Sequence, residues 1–104
     1  MKGSSVGQNK VESAGKFSAI EGSGALGVTT SSAEVAPANA SRKAVLIYND
    51  SDTVIYLGFG EDAVANQGAR LNANGGLHRE ELFKGQINAI HGGSGTKNLT
   101  FIII

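Results

Sequence analysis

The sequence predicts an all-β fold: a single small β-sandwich or barrel of about seven short antiparallel strands behind a flexible N-terminal arm. Three observations carry that expectation. Short apolar or alternating segments recur along residues 25–104, separated by turn-forming residues. Glycine is abundant and proline almost absent, 15 residues against 1, which suits many tight turns without a collagen period. No segment carries a convincing helical period of apolar residues.

The elements follow in order. Residues 1–24 are rich in Gly and Ser, with only isolated apolar residues at Val6, Val11, Phe17 and Ile20. Such a segment buries too little apolar surface alone to offset its ordering entropy. The expectation is an arm, either a free tail or one that orders on a neighbouring subunit, with Val11, Phe17 and Ile20 as anchors. The folded domain is expected over 25–104. Ala25 to Thr30 alternates weakly, and Ser32 to Ala36 is a short segment stopped by Pro37, which has no backbone donor.

Lys43 to Asn49 is the strongest strand, apolar on both faces and rich in β-branched and aromatic residues. It is expected to be central and covered on both sides. Asn49-Asp50-Ser51-Asp52 reads as a turn leading to a strand over Thr53 to Phe59, and the two strands are expected to pair as a hairpin. Gly60 to Gly68 is a longer loop, Ala69 to Leu71 a short strand, and Asn72 to Gly76 a turn. Leu77 to Leu82 could form one helical turn. Its charges favour an exposed edge strand, where they would discourage edge-to-edge aggregation. Gln86 to His91 and Lys97 to Ile104 complete the strands, joined by a glycine turn expected to be a hairpin loop. The final Phe101-Ile102-Ile103-Ile104 is apolar on both faces, so its second face needs cover from within the domain or from a partner.

Composition narrows the function classes. Nine basic residues balance nine acidic ones. Nucleic acid and anionic membranes, which select a positive field, are therefore not expected as partners. No cysteine is present, which excludes disulfides and thiolate chemistry. No signal peptide is expected, since no continuous apolar segment follows Met1 to Ser5, and the longest apolar runs are far too short to span a bilayer.

The polar clusters give no catalytic or cofactor site. His78 and His91 are the only histidines, without metal-ligand spacing or a positioned second group. Asp50, Asp52, Glu61 and Asp62 could hold calcium only if their loops converge; turn formation explains them better. Glu80 and Glu81 would point to opposite faces of a strand. Gly92 to Lys97 lacks the spacing of a phosphate loop and joins two strands. No metal, no cofactor and no enzymatic activity are expected. The dispersed arginines Arg42, Arg70 and Arg79 are the candidate polar contacts to a partner, alongside the arm.

A resemblance adds context. The run Ala38-Asn39-Ala40-Ser41-Arg42-Lys43-Ala44-Val45-Leu46-Ile47-Tyr48-Asn49 is followed by Thr53 to Gly60, Gly68 to Asn72, Gly75-Gly76 and Gly85 to Ile90. In this order the segments resemble small β-proteins of tailed-phage virions, over about residues 34–100. The resemblance implies a virion protein made in the host cytoplasm. It implies a capsid decoration or cement protein that binds the major capsid protein, expected as a homotrimer. The other role it implies is a head-fibre or tail-associated subunit, binding a receptor or carbohydrate through loops 60–68 and 72–76.

Overall fold

The computed structural model describes residues 22–104. They form eight antiparallel strands and no helix: β1 (Gly22–Val28), β2 (Ala33–Ala36), β3 (Val45–Asn49), β4 (Ile55–Phe59), β5 (Ala69–Leu71), β6 (Leu77–Glu80), β7 (Ile87–His91) and β8 (Lys97–Ile103). The all-β expectation holds. Strand β1 takes in Gly22, Ser23 and Gly24, which composition had assigned to the arm.

Two four-stranded sheets face each other. Sheet I has the order β1-β8-β3-β6 and sheet II the order β2-β7-β4-β5. Every connection but β4–β5 crosses from one sheet to the other. This interleaved order is that of a jelly roll, a double sheet of two Greek keys.

The topology corrects two expectations. Strands β3 and β4 are not a hairpin; they lie in opposite sheets, and Val45 and Ile47 meet Ile55 and Leu57 across the core. The link explains why. Residues 50–54 have no positive φ, so they hold no two-residue turn of the kind that closes the tightest hairpins. Asn49 is fully buried instead, and its Nδ2 donates to the carbonyls of Thr53 (2.8 Å) and Leu71 (3.1 Å). The Ser51 hydroxyl donates to Asn49 Oδ1 at 2.7 Å. The side chain thus builds a corner that carries the chain between sheets. The His91–Gly95 turn is likewise a crossing, from β7 in sheet II to β8 in sheet I.

The core is aliphatic. Val28, Val35, Ala36, Val45, Ile47, Ile55, Leu57, Leu71, Ile87, Ala89 and Leu99 form one buried cluster drawn from both sheets. Each large member contributes roughly 1.5–3 kcal/mol by burial. A bulge between Glu34 and Ala36 turns both Val35 and Ala36 inward. Phe59, Phe83 and Phe101 pack at the rim of this cluster, and Phe59 meets Phe83 edge-on at 5.7 Å.

Beside these rings the chain is fastened by Arg42, only 2% exposed. Its Nη1 donates to the Pro37 carbonyl at 2.9 Å, and its Nη2 to the carbonyls of Phe83 (2.7 Å) and Gly85 (3.0 Å). One side chain ties the β2–β3 connection to the β6–β7 connection. Burial lowers its pKa, and the charge of Glu80 partly offsets that.

Candidate functional surface

The two sheets differ in how their outer faces are treated. Over sheet II lies the loop between β4 and β5. Ala63, in that loop, is buried, and a Cβ on Gly58 of β4 would come within 2.9 Å of its backbone. The strand therefore needs glycine here for the loop to approach. The loop is tied down: Asn88 Nδ2 donates to the Glu61 carbonyl at 2.7 Å, Ala63 N–H to Ser32 Oγ at 2.8 Å, and the Tyr56 hydroxyl to Asn66 Oδ1 at 2.9 Å. Consequently every residue of β7 is buried.

Sheet I has no such cover among the described residues. In β3, Val45, Ile47 and Asn49 point inward and are fully buried, so Leu46 and Tyr48 point outward. In β8, Leu99, Phe101 and Ile103 pack on the core, which turns Thr100 and Ile102 outward. The register sets these residues side by side. Leu46 lies between Ile102 and Arg79, and Tyr48 between Thr100 and Leu77. Ile104 continues the stripe, held by Ala44, whose carbonyl accepts its N–H at 2.9 Å. Leu46, Tyr48, Ile102 and Ile104 are half-buried, and Leu77 is 55% exposed. The result is an apolar stripe across the outer face of one sheet.

The second face of the C-terminal strand, expected to need cover, is thus the open one, because sheet II covers the inward face. The central position expected for Lys43 to Asn49 holds, while its expected two-sided cover is incomplete. Beyond β6, Leu82 is 89% exposed at the tip of a turn. That turn is closed by Glu80, whose Oε2 accepts from the N–H groups of Leu82 (3.2 Å) and Phe83 (3.0 Å). These backbone donors, and His78 Nε2 at 3.0 Å from the other oxygen, hold the Glu80 carboxyl below its usual pKa.

The candidate partner contacts separate. Arg42 is an internal fastener and not a surface contact, because its guanidinium is buried against three carbonyls of its own chain. Arg70 is exposed on β5 in sheet II, with Nε donating to Asn72 Oδ1 at 3.0 Å. Arg79 is exposed on β6, pairs with Glu81, and borders the apolar stripe. Val11, Phe17 and Ile20 lie outside the described residues. Loop 60–68, expected as part of a receptor surface, lies over sheet II with Ala63 buried and with Glu61, Asp62, Val64, Asn66 and Gln67 exposed.

The other polar groups stay apart. Asp52 pairs with Lys97 at 3.0 Å and Asp50 accepts from Asn98 at 3.1 Å, at the end of β4 opposite Glu61 and Asp62. Among the described residues, no three His, Asp or Glu side chains gather as metal ligands. His91 is fully buried: the Gly93 N–H donates to its Nδ1 at 3.0 Å, so Nε2 bears the proton and donates to the Gly95 carbonyl at 2.7 Å. Its ring shapes the β7–β8 crossing. His78 sits on the other sheet, its ring 5.4 Å from that of Phe59.

Leu46, Tyr48 and Leu77 were not singled out as contacts from sequence. The signal for Leu46 and Tyr48 was present, since β3 is apolar in both alternating sets of positions; Leu77, at the start of the charged β6, carried no such signal. Comparison with protein-family models, with curated proteins and with solved structures gives no match for the chain.

Proposed function

We propose that this protein is a non-enzymatic structural subunit of a tailed-phage virion: a capsid decoration or cement protein that binds the major capsid protein through the outer face of sheet I. The observation that supports this reading is the uncovered apolar stripe of Leu46, Tyr48, Leu77, Ile102 and Ile104 beside a second sheet whose outer face is closed by its own loop. Contiguous apolar surface of this kind favours a protein partner. Tyr48 supplies a large amphipathic ring, the sort of side chain that anchors interfaces. The resemblance of residues 34–100 to small virion proteins supplies the setting. The jelly roll agrees with it, although a fold of this kind serves many functions. The head-fibre or tail role would use loops 60–68 and 72–76, which offer mostly polar exposed side chains and not an apolar stripe.

The test is co-sedimentation of the full-length protein with capsids that lack it. Wild type is expected to bind at high copy number, and Leu46→Lys and Tyr48→Lys to lose binding while their melting temperatures stay close to wild type. Binding unchanged in both variants would show that the stripe is not the contact. Failure of wild type to bind would remove the cement role.

A further inference from the structure

A sheet edge presents unpaired N–H and C=O groups, and natural proteins blunt such edges with charges, proline, bulges or short strands. Three of the four edges here are blunted. Strand β2 carries Glu34 and a bulge and is followed by Pro37. Strand β5 has three residues, one of them the exposed Arg70. Strand β6 has four, including His78, Arg79 and Glu80. Strand β1 is different. It is seven residues long, Gly-Ser-Gly-Ala-Leu-Gly-Val, with no charge, no proline and no break in its pairing with β8. Its outer edge has no partner among the described residues.

We propose that β1 pairs antiparallel with β1 of a second copy of this chain, across a two-fold axis through Ala25. This would join two sheets I into one eight-stranded sheet. Charge favours this occupant. A two-fold axis sets each strand against itself, so a charged edge meets its own charge, and like charges directly opposite destabilise a strand pair. Strand β1 carries no charge, so it meets no such penalty in any register. Its residues also match in size in this register. Ala25 faces Ala25, Ser23 faces Gly27, Leu26 faces Gly24, and Val28 faces Gly22, so each larger side chain meets a glycine. Within its own sheet, Gly24 lies opposite Phe101, whose ring would be 3.2 Å from a Cβ placed there. That aromatic cover keeps the glycine-rich strand in place. The inference does not depend on the virion reading, and it replaces the expected three-fold assembly with a two-fold one.

The experiment uses the full-length chain in light scattering and oxidative cross-linking. The chain has no cysteine, so Ala25→Cys introduces a single thiol. Wild type is expected to be a dimer, and Ala25→Cys to oxidise to a disulfide-linked dimer. Ala25→Lys should be monomeric with unchanged circular dichroism, because Ala25 is exposed. Mixing Ala25→Lys with Ala25→Glu should restore a dimer. A wild-type monomer at about 1 mM, the weak end of measured affinities, would overturn the proposal. So would a trimer, or an Ala25→Lys variant that remains dimeric.

Discussion

The Arg42 fastener gives the sharpest test of how this fold is held. Replacing Arg42 with Ala strips hydrogen bonds from three carbonyls, those of Pro37, Phe83 and Gly85. Each carbonyl left buried without a donor costs about 1–3 kcal/mol. The lost side chain also leaves a cavity, because Arg42 is 2% exposed. Against this, the wild-type protein already carries the cost of burying a cation, and the Arg42 Nε has no hydrogen-bond partner among the described residues. Relief of that cost offsets part of the loss. Three carbonyls at about 1–3 kcal/mol each, less the relief of the buried cation, leave a destabilisation of about 3–5 kcal/mol. In a domain of this size that lowers the melting temperature by roughly 12 °C or more. Arg42→Lys should fall between, since one ammonium cannot span carbonyls on two separate connections as a planar fork can. Urea unfolding with linear extrapolation measures the change, and an unchanged slope keeps the comparison valid. A loss within about 0.5 kcal/mol for Arg42→Ala, the range of ordinary surface substitutions, would refute the reasoning.

Two further outcomes follow. Gly68 has φ +80°, and a Cβ there would lie 2.2 Å from the Leu57 carbonyl oxygen, so Gly68→Ala should destabilise by about 1–3 kcal/mol or more, read by thermal melting. Glu80 has a folded-state pKa held below its unfolded value. Its stabilising contribution is therefore present above the ordinary carboxylate pKa, about 4.3, and is lost as pH falls through the lower folded value. Glu80→Gln should flatten that part of the stability-versus-pH curve in urea titrations, and an unchanged acid slope would contradict the assignment.

The strands were legible because their signals are local. The aliphatic run Val45-Leu46-Ile47 and the charged, short β6 declare a central strand and an edge. Strand pairing is different. The Asn49–Asp52 segment has ordinary turn residues whether it closes a hairpin or crosses between sheets; what separates the two is Asn49 reaching the Leu71 carbonyl, 22 residues along the chain. Arg42 likewise reads as a surface cation until Phe83 and Gly85, more than 40 residues away, arrive around it. The boundary of β1 was hidden for a related reason. Gly22-Ser23-Gly24 has poor strand propensity, and its pairing with Phe101-Ile102-Ile103 supplies what propensity lacks.

By itself, then, the sequence determined an all-β chain, its strand segments, its balanced charge and two segments apolar on both faces, residues 44–48 and 101–104. Which of those faces became core and which stayed open was a tertiary matter. Sheet II could receive the β4–β5 loop because Gly58 permits a close backbone approach and Asn88, Ser32 and Asn66 hold the loop there. Sheet I received no such cover among the described residues. An apolar side chain carries no label saying what will cover it. That depends on which backbone comes close, and only the folded arrangement of distant segments decides it.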